Sequence, residues 1–295
     1  MRAWWLTPLV IIATACHSDS TGPGGTVPQV PTGLAGTSLD GKIALFWDDN
    51  AFAADPNGFQ NYRVFSTSYS FGTDYLNGQC GTNWTLEGTT VAPEFVVGAL
   101  RNGVAQCFAV SAVNKSQQES ARSTPRNDTA RPEAHNVVVY ANQVSLAQSG
   151  FRFWKDLNND GVVQDNELGL VLSGASSSDA DFTINRFRTN PDSLEIVPHR
   201  SGTRLGLYDS LSVASLNSID LAPDPLISRT PLLDYSTLAA PAIPGIGYVF
   251  ETQDATGSIQ YGAVRPTHVG NRFVILEWSF QTDPNNPELR KSRKP

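Results

Sequence analysis

The sequence predicts an all-β protein: a β-sandwich followed by a second domain of mostly antiparallel strands. Three observations predict it. The apolar residues fall in short runs that alternate with polar neighbours, the period of a half-buried strand. The 24 Gly and 19 Pro among 295 residues punctuate those runs with turns, and helix interiors tolerate neither. Amphipathic runs at helical spacing stop at about ten residues, so helices should be short. With 40% hydrophobic residues and 28 aromatics, the chain can bury two cores and does not read as disordered. The balance of 21 basic to 28 acidic residues gives −7. That speaks against nucleic acid as a partner, because phosphate contacts need a basic face. The composition also disfavours a helical bundle and a multi-span membrane protein.

Residues 1–15 read as a signal peptide. Met1 and Arg2 precede an apolar run over residues 3–15, too short for the ~20 residues that span a bilayer but suited to export. The run ends Ala13-Thr14-Ala15-Cys16, which resembles the bacterial lipobox. The resemblance implies acylation (palmitate and related chains) at Cys16; the other reading of Cys16 is an ordinary residue behind a plain signal peptide. Residues 16–29, rich in Ser, Gly and Pro, read as a flexible tether. Two or three acyl chains anchor a protein stably where one does not. Residue 17 is His rather than Asp, which in lipoproteins implies the outer membrane. The expected protein is therefore exported and lipid-anchored, on the periplasmic or the surface face.

Residues 30–129 carry strands at the spacing of a β-sandwich. In residues 43–47, Ile43, Leu45 and Trp47 share a face; in residues 62–65, Tyr62 and Val64 do. Residues 95–100 and 107–114 supply two more, the last alternating Phe108, Val110 and Ala112 with Cys107, Ala109, Ser111 and Val113. Together with Pro31-Thr32-Gly33-Leu34 and the Gly98-Ala99-Leu100 corner, this segment resembles the fibronectin type III domain. The resemblance implies a spacer or binding module, although a fold does not fix a function. One departure stands out: the family's corner tyrosine falls at Gln106, so that corner must be built differently. Cys80 and Cys107 lie inside this domain, and export would place them in an oxidising compartment where a pair is bridged. Closing that loop stabilises by roughly 3–4 kcal/mol. The other reading is two thiols too far apart to bond.

Residues 120–134 hold Arg122, Arg126, Arg131, Pro125 and Pro132 and no large apolar side chain. Residues 130–136, which overlap the end of this stretch, are assigned as the linker. Residues 137–284 form the second β domain, with strands expected over 137–140, 150–154, 168–173, 182–188, 194–197, 204–208 and 247–251. Residues 261–268 and 272–280 form a hairpin about Gly270-Asn271, which suits a two-residue type II′ turn. In that register Tyr261, Ala263, Arg265 and Thr267 share a face with Phe280, Trp278, Leu276 and Val274. Pro266 cannot donate to the ladder, so it must face outward or sit at a bulge. Residues 285–295, a basic tail, read as frayed.

Residues 156–167 (DLNNDGVVQDNE) match the twelve-residue calcium loop of the EF-hand and dockerin type. Asp156, Asn158 and Asp160 would offer side-chain oxygens, Val162 its carbonyl, Gln164 a ligand directly or through water, and Glu167 both carboxylate oxygens. Gly161 permits the sharp turn. A hard cation needs six to eight oxygens at about 2.3–2.6 Å, which alternate residues of a tight loop can supply. Residues 151–154 read as a strand, so a solitary loop between strands is expected, with affinity of ~10⁻⁴ to 10⁻³ M. The same residues also fit an Asn/Asp–Gly turn that holds no metal. Residues 155–181 contain six acids against one Lys, or −5 of the −7.

Enzyme signatures are absent from the sequence: no Gly-x-Ser-x-Gly elbow, no His-Glu-x-x-His and no phosphate-binding glycine loop. A non-enzymatic binding, adhesion or scaffold protein is expected, with the membrane as one partner and protein or polysaccharide at the cell surface as another. Residues 248–252, 261–265 and 273–281 resemble the C-terminal end of HmuY-like haem-binding lipoproteins. That alternative implies haem capture, with His199 and His268 as the axial candidates.

Overall fold

The computed structural model describes residues 26–70, 78–175, 179–187, 190, 192–222, 235–253 and 257–289. The signal peptide, Cys16 and the last six residues lie outside the described residues. The order of elements is β1 (Ala35–Leu39), β2 (Lys42–Phe46), a five-residue helix α1 (Asn50–Ala54), β3 (Phe59–Ser70), β4 (Gln79–Cys80), β5 (Thr85–Thr90), β6 (Glu94–Val97), β7 (Ala105–Asn114) and β8 (Arg126–Thr129). There follow β9 (Glu133–Tyr140), β10 (Gly150–Trp154), β11 (Leu168–Leu172), β12 (Phe182–Arg186), β13 (Leu194–Pro198) and β14 (Arg204–Ser212). The last four are β15 (Ala240–Pro241), β16 (Ile246–Gln253), β17 (Ile259–Val269) and β18 (Phe273–Gln281).

The first domain is a fibronectin type III-like sandwich. Its sheets run β1-β2-β6 and β4-β3-β7-β8, with β5 also paired to β3. Alternation turns Ile43 and Leu45 of β2 toward Tyr62 and Val64 of β3 and Phe108, Val110 and Ala112 of β7, and these seven share one core. Trp47 stands edge-on to Tyr62, ring centroids 5.3 Å apart. The opposite face of β7 is buried as well. Cys107 on that face is bonded to Cys80, Cα to Cα 5.7 Å. The corner that lacks its tyrosine is tied instead by Asn102. Its amide donates to Asp40 Oδ1 at 2.8 Å, and its Oδ1 accepts from Gly41 N at 2.9 Å.

The second domain is a sandwich of two five-stranded antiparallel sheets, β11-β10-β12-β13-β15 and β14-β16-β17-β18-β9. Phe151 and Phe153 of one sheet and Phe250, Trp278 and Phe280 of the other meet in an aromatic core. Phe153 stacks on Phe280 at 5.3 Å. A second cluster, Val213, Leu216, Ile219 and Leu289 against Val249, Tyr261 and Ala263, covers the outer face of β16 and β17. Both faces of those strands are thus dry.

Three expectations change. The β17–β18 hairpin pairs Tyr261 with Gln281 and Val264 with Trp278, one residue away from the predicted register. A one-residue slip exchanges faces: Val264 joins Trp278 and Leu276 in the core, while Tyr261 packs on the outer cluster. The cause is the bulge between Pro266 and His268 together with a turn moved one residue along, in which Gly270 N donates to Phe273 O across Asn271 and Arg272. Residues 130–136 do not form a free linker, because Ala130 and Arg131 are buried and β9 begins at Glu133. The tail is packed as far as Leu289, with Asn286 and Leu289 buried.

Candidate functional site

Strand β10 leads into the acidic loop. Its alternation sends Phe151 and Phe153 into the core and leaves Arg152 and Trp154 on the opposite face. The neck of the loop is closed by Trp154 paired with Leu168 and by Lys155 N donating to Glu167 O at 2.9 Å. Residues 156–167 are therefore a hairpin loop between β10 and β11, not an insertion between two helices.

Within it the backbone amides turn toward the side-chain oxygens. Asp156 accepts from Gly161 N at 2.8 Å and from Asp160 N at 3.2 Å. Asn158 Oδ1 accepts from Asp160 N at 3.1 Å, and Asp160 Oδ1 from Val162 N at 2.8 Å. The amides of Asn158 and Gln164 donate to Asp160 Oδ2 at 3.0 and 3.1 Å. Asn159 and Gly161 adopt φ of 57° and 68°. A Cβ on Gly161 would meet nothing within 4 Å, so glycine is wanted there for its backbone and not for space. Glu167 is 1% exposed, yet no cation pairs with it among the described residues. Its oxygens accept from Leu157 N at 2.9 Å and Trp154 Nε1 at 3.2 Å. Among the described residues no three His, Cys, Asp or Glu side chains converge as a metal cluster; three of the six expected loop ligands are amide or carbonyl groups.

Beside the loop, a cleft of about 1050 Å³ opens between the two domains. Gly103 and Val104 of the first domain form one lip, and Val162 and Val163 of the loop another. The lips touch: Arg101 Nη2 donates to Val163 O at 3.3 Å, and a Cβ on Gly103 would lie 3.1 Å from Val163. The floor is polar. Asp181, 1% exposed, accepts from Phe153 N at 2.9 Å and Arg200 Nε at 2.8 Å, with Arg152 Nε 3.9 Å away. Arg200 also donates to Gln253 O at 2.6 Å. Burial pulls the Arg152 pKa down, Asp181 opposes this, and the neighbouring Arg200 adds to it. Gln260 donates to Thr282 O at 2.9 Å. Thr282 Oγ1 is buried and takes no partner among the described residues.

Asp283, at the back of the cleft, is hydrogen-bonded to Thr129 of the first domain and reaches Asn286. Burial pushes its carboxyl up to about 6, against the donors from Thr129 and Asn286. The two histidines stand apart: His199 follows β13 in one sheet, and His268 lies exposed on β17 in the other, its ring 5.7 Å from Phe273. Neither lines the cleft. The sequence marks the cleft only in part: Asp156, Gly161 and Val162 belong to the calcium-type loop, and Arg152 and Trp154 alternate with the core residues Phe151 and Phe153, whereas Asp181, Arg200, Gln260 and Thr282 carry no such mark.

No protein-family model and no curated protein matches the sequence. Among solved structures, the chain is similar to an Fn3-like protein from Clostridium thermocellum, 22% identical over 35% of this chain and 92% of the other, with TM-score 0.26. It is similar to the third fibronectin III domain of a human protein at 16% identity, 38% and 91% coverage and TM-score 0.30. It is also similar to a DUF4466 family protein from Parabacteroides merdae at 12% identity, 86% and 95% coverage and TM-score 0.37. The fold assignment rests on the strand order and cores described above.

Proposed function

We propose that this chain is an exported, lipid-anchored binding or scaffold protein that works without catalysis, and that its second sandwich is braced by calcium at Asp156, Asn158, Asp160, Val162, Gln164 and Glu167. The observation that supports the calcium site is the winding of the loop. Consecutive amides of residues 160, 161 and 162 already hold the side-chain oxygens of Asp156, Asn158 and Asp160 in place. A cation would then take the place of the Gln164 amide hydrogen on Asp160 Oδ2, once that amide turns its oxygen inward. Calcium chloride titrated into the protein should release or absorb heat at micromolar to millimolar concentration, and chelator should lower the melting temperature. No heat and no change in melting discard the site. Anchoring is tested separately: radiolabelled palmitate should enter the wild-type protein and not Cys16→Ser, and equal labelling of both refutes acylation at that residue.

A further inference from the structure

We propose that the cleft between the domains is the ligand site and that its ligand is an uncharged oligosaccharide; this rests on the binding-protein reading above and names its ligand class. Three cationic side chains line the cleft, Arg152, Lys155 and Arg200, and three carboxylates, Asp156, Asp181 and Asp283. Among the described residues the wall therefore carries no net charge, and a strongly charged ligand gains nothing from their field.

What the wall does carry is donors and acceptors side by side. Arg200 spends Nε on Asp181 and Nη1 on Gln253 O, and among the described residues nothing takes its Nη2. Gln260 and Gln253 add amide groups to the same wall, and the Thr282 hydroxyl, buried beneath Gly103, takes no part in it. A sugar hydroxyl donates and accepts at the same atom, so a ring with several of them answers such a mixed wall where an amine or a carboxylate answers only half of it.

Trp154 supplies the other half of sugar recognition. It is half-buried, packs against the edge of the aromatic core and lines the cleft, and its Nε1 is held by the buried Glu167. That hydrogen bond fixes the ring, whose apolar surface can then cover the C–H face of a pyranose. The volume of about 1050 Å³ stands at the upper end of small-ligand sites, so the cleft accommodates more than one sugar ring.

The test is calorimetry and tryptophan fluorescence on the full exported chain in a sugar-free detergent. The probes are cello-, xylo-, manno- and chito-oligosaccharides, with oligogalacturonate as the charged counterpart. At least one neutral series should bind and shift the fluorescence. Val104→Arg on the exposed lip should weaken that binding about tenfold or more by blocking the entrance, with unchanged melting, and Gln260→Ala should weaken it and also lower the melting temperature, because it strips a buried donor from Thr282 O. Absence of neutral binding at millimolar concentration overturns the proposal. So does binding confined to oligogalacturonate, or neutral binding that neither variant alters. Calcium and palmitate are read by other signals, so failure of this site and failure of the function proposed above are distinguishable.

Discussion

Opening the bond between Cys80 and Cys107 should cost the first domain a large part of its stability. The two residues are 27 apart in the chain. In the chain-entropy account, freeing a loop of that length returns about 12 cal/mol/K to the unfolded chain, or about 3.5 kcal/mol at 25 °C. In a domain of this size each kcal/mol moves the melting temperature by about 4–8 °C, so the transition should fall by roughly 14–28 °C. Reduction of the wild-type protein isolates the cross-link. Cys80→Ala with Cys107→Ala adds a packing loss, because Cys107 is fully buried beside Ala109 and Ser111. Scanning calorimetry of oxidised, reduced and doubly substituted protein separates the two contributions, and a transition belonging to the second domain should stay where it is. A shift under about 5 °C on full reduction refutes the reasoning, since it would mean that the unfolded chain gains little freedom when the bond opens.

Asp283 gives a pH signature. Its carboxyl, ordinarily near 3.8, sits at about 6 in the fold, so the folded state binds the proton more tightly than the unfolded chain. The group costs nothing below the lower value, and the cost grows as pH rises to reach roughly 3 kcal/mol above the upper one. Asp283→Asn should therefore be the more stable protein at neutral pH, with the gap closing toward pH ~4 in urea titrations; a gap independent of pH counts against the assignment. Gly169 has φ +62°, and a Cβ there would stand 2.1 Å from the Trp278 ring. Gly169→Ala should cost roughly 2–4 kcal/mol in the same assay, and a change under about 0.5 kcal/mol would show that Trp278 moves freely. Glu167→Gln removes the expected two-oxygen ligand while keeping an acceptor for Leu157 N; calcium heat should vanish with only a small loss of stability in chelator, and unchanged heat would remove Glu167 from the site.

Strand identity was legible wherever one face of a strand is apolar. Ile43, Leu45 and Trp47, then Tyr62 and Val64, announce both the strands and the side they bury, and all five are in the core. Register was less legible, because it depends on where an extra residue is accommodated; Pro266 signals a bulge, but the position of the turn after it shifts every partner. Residues 130–136 misled for a different reason. Arg and Pro read as exposed, but Arg131 is 1% exposed and donates to Glu133 at 3.1 Å. A buried arginine is recognised only once its partner is known. The loop was legible because its chemistry is local to twelve residues. The cleft was not, since Arg152, Asp181, Arg200, Gln260 and Thr282 come from separate strands and loops, and no spacing in the sequence connects them.

The joint between the domains explains why a cleft forms there at all. Arg131 N donates to Leu39 O of the first domain at 3.1 Å, and Pro132 O accepts from Phe280 N of the second at 3.1 Å. Gly103 N reaches Ala130 O at 2.9 Å. Three backbone bonds thus tie the connecting residues to both sandwiches, and Gly103 is held directly against Thr282, where a Cβ would stand 2.9 Å from its hydroxyl. This also divides the acidity of residues 155–181 into two parts. Asp181, in the cleft, is paired with Arg200, and Asp179, beside it, with Lys155 at 2.9 Å. Asp156, Asp160, Asp165 and Glu167 have no Lys or Arg partner among the described residues. The surplus of negative charge therefore lies in the hairpin loop, whose Asp156 also borders the cleft. One short segment can thus serve a cation on its outer side and border an uncharged cleft on its inner side, because the positive charges that neutralise the cleft are the ones the loop lacks.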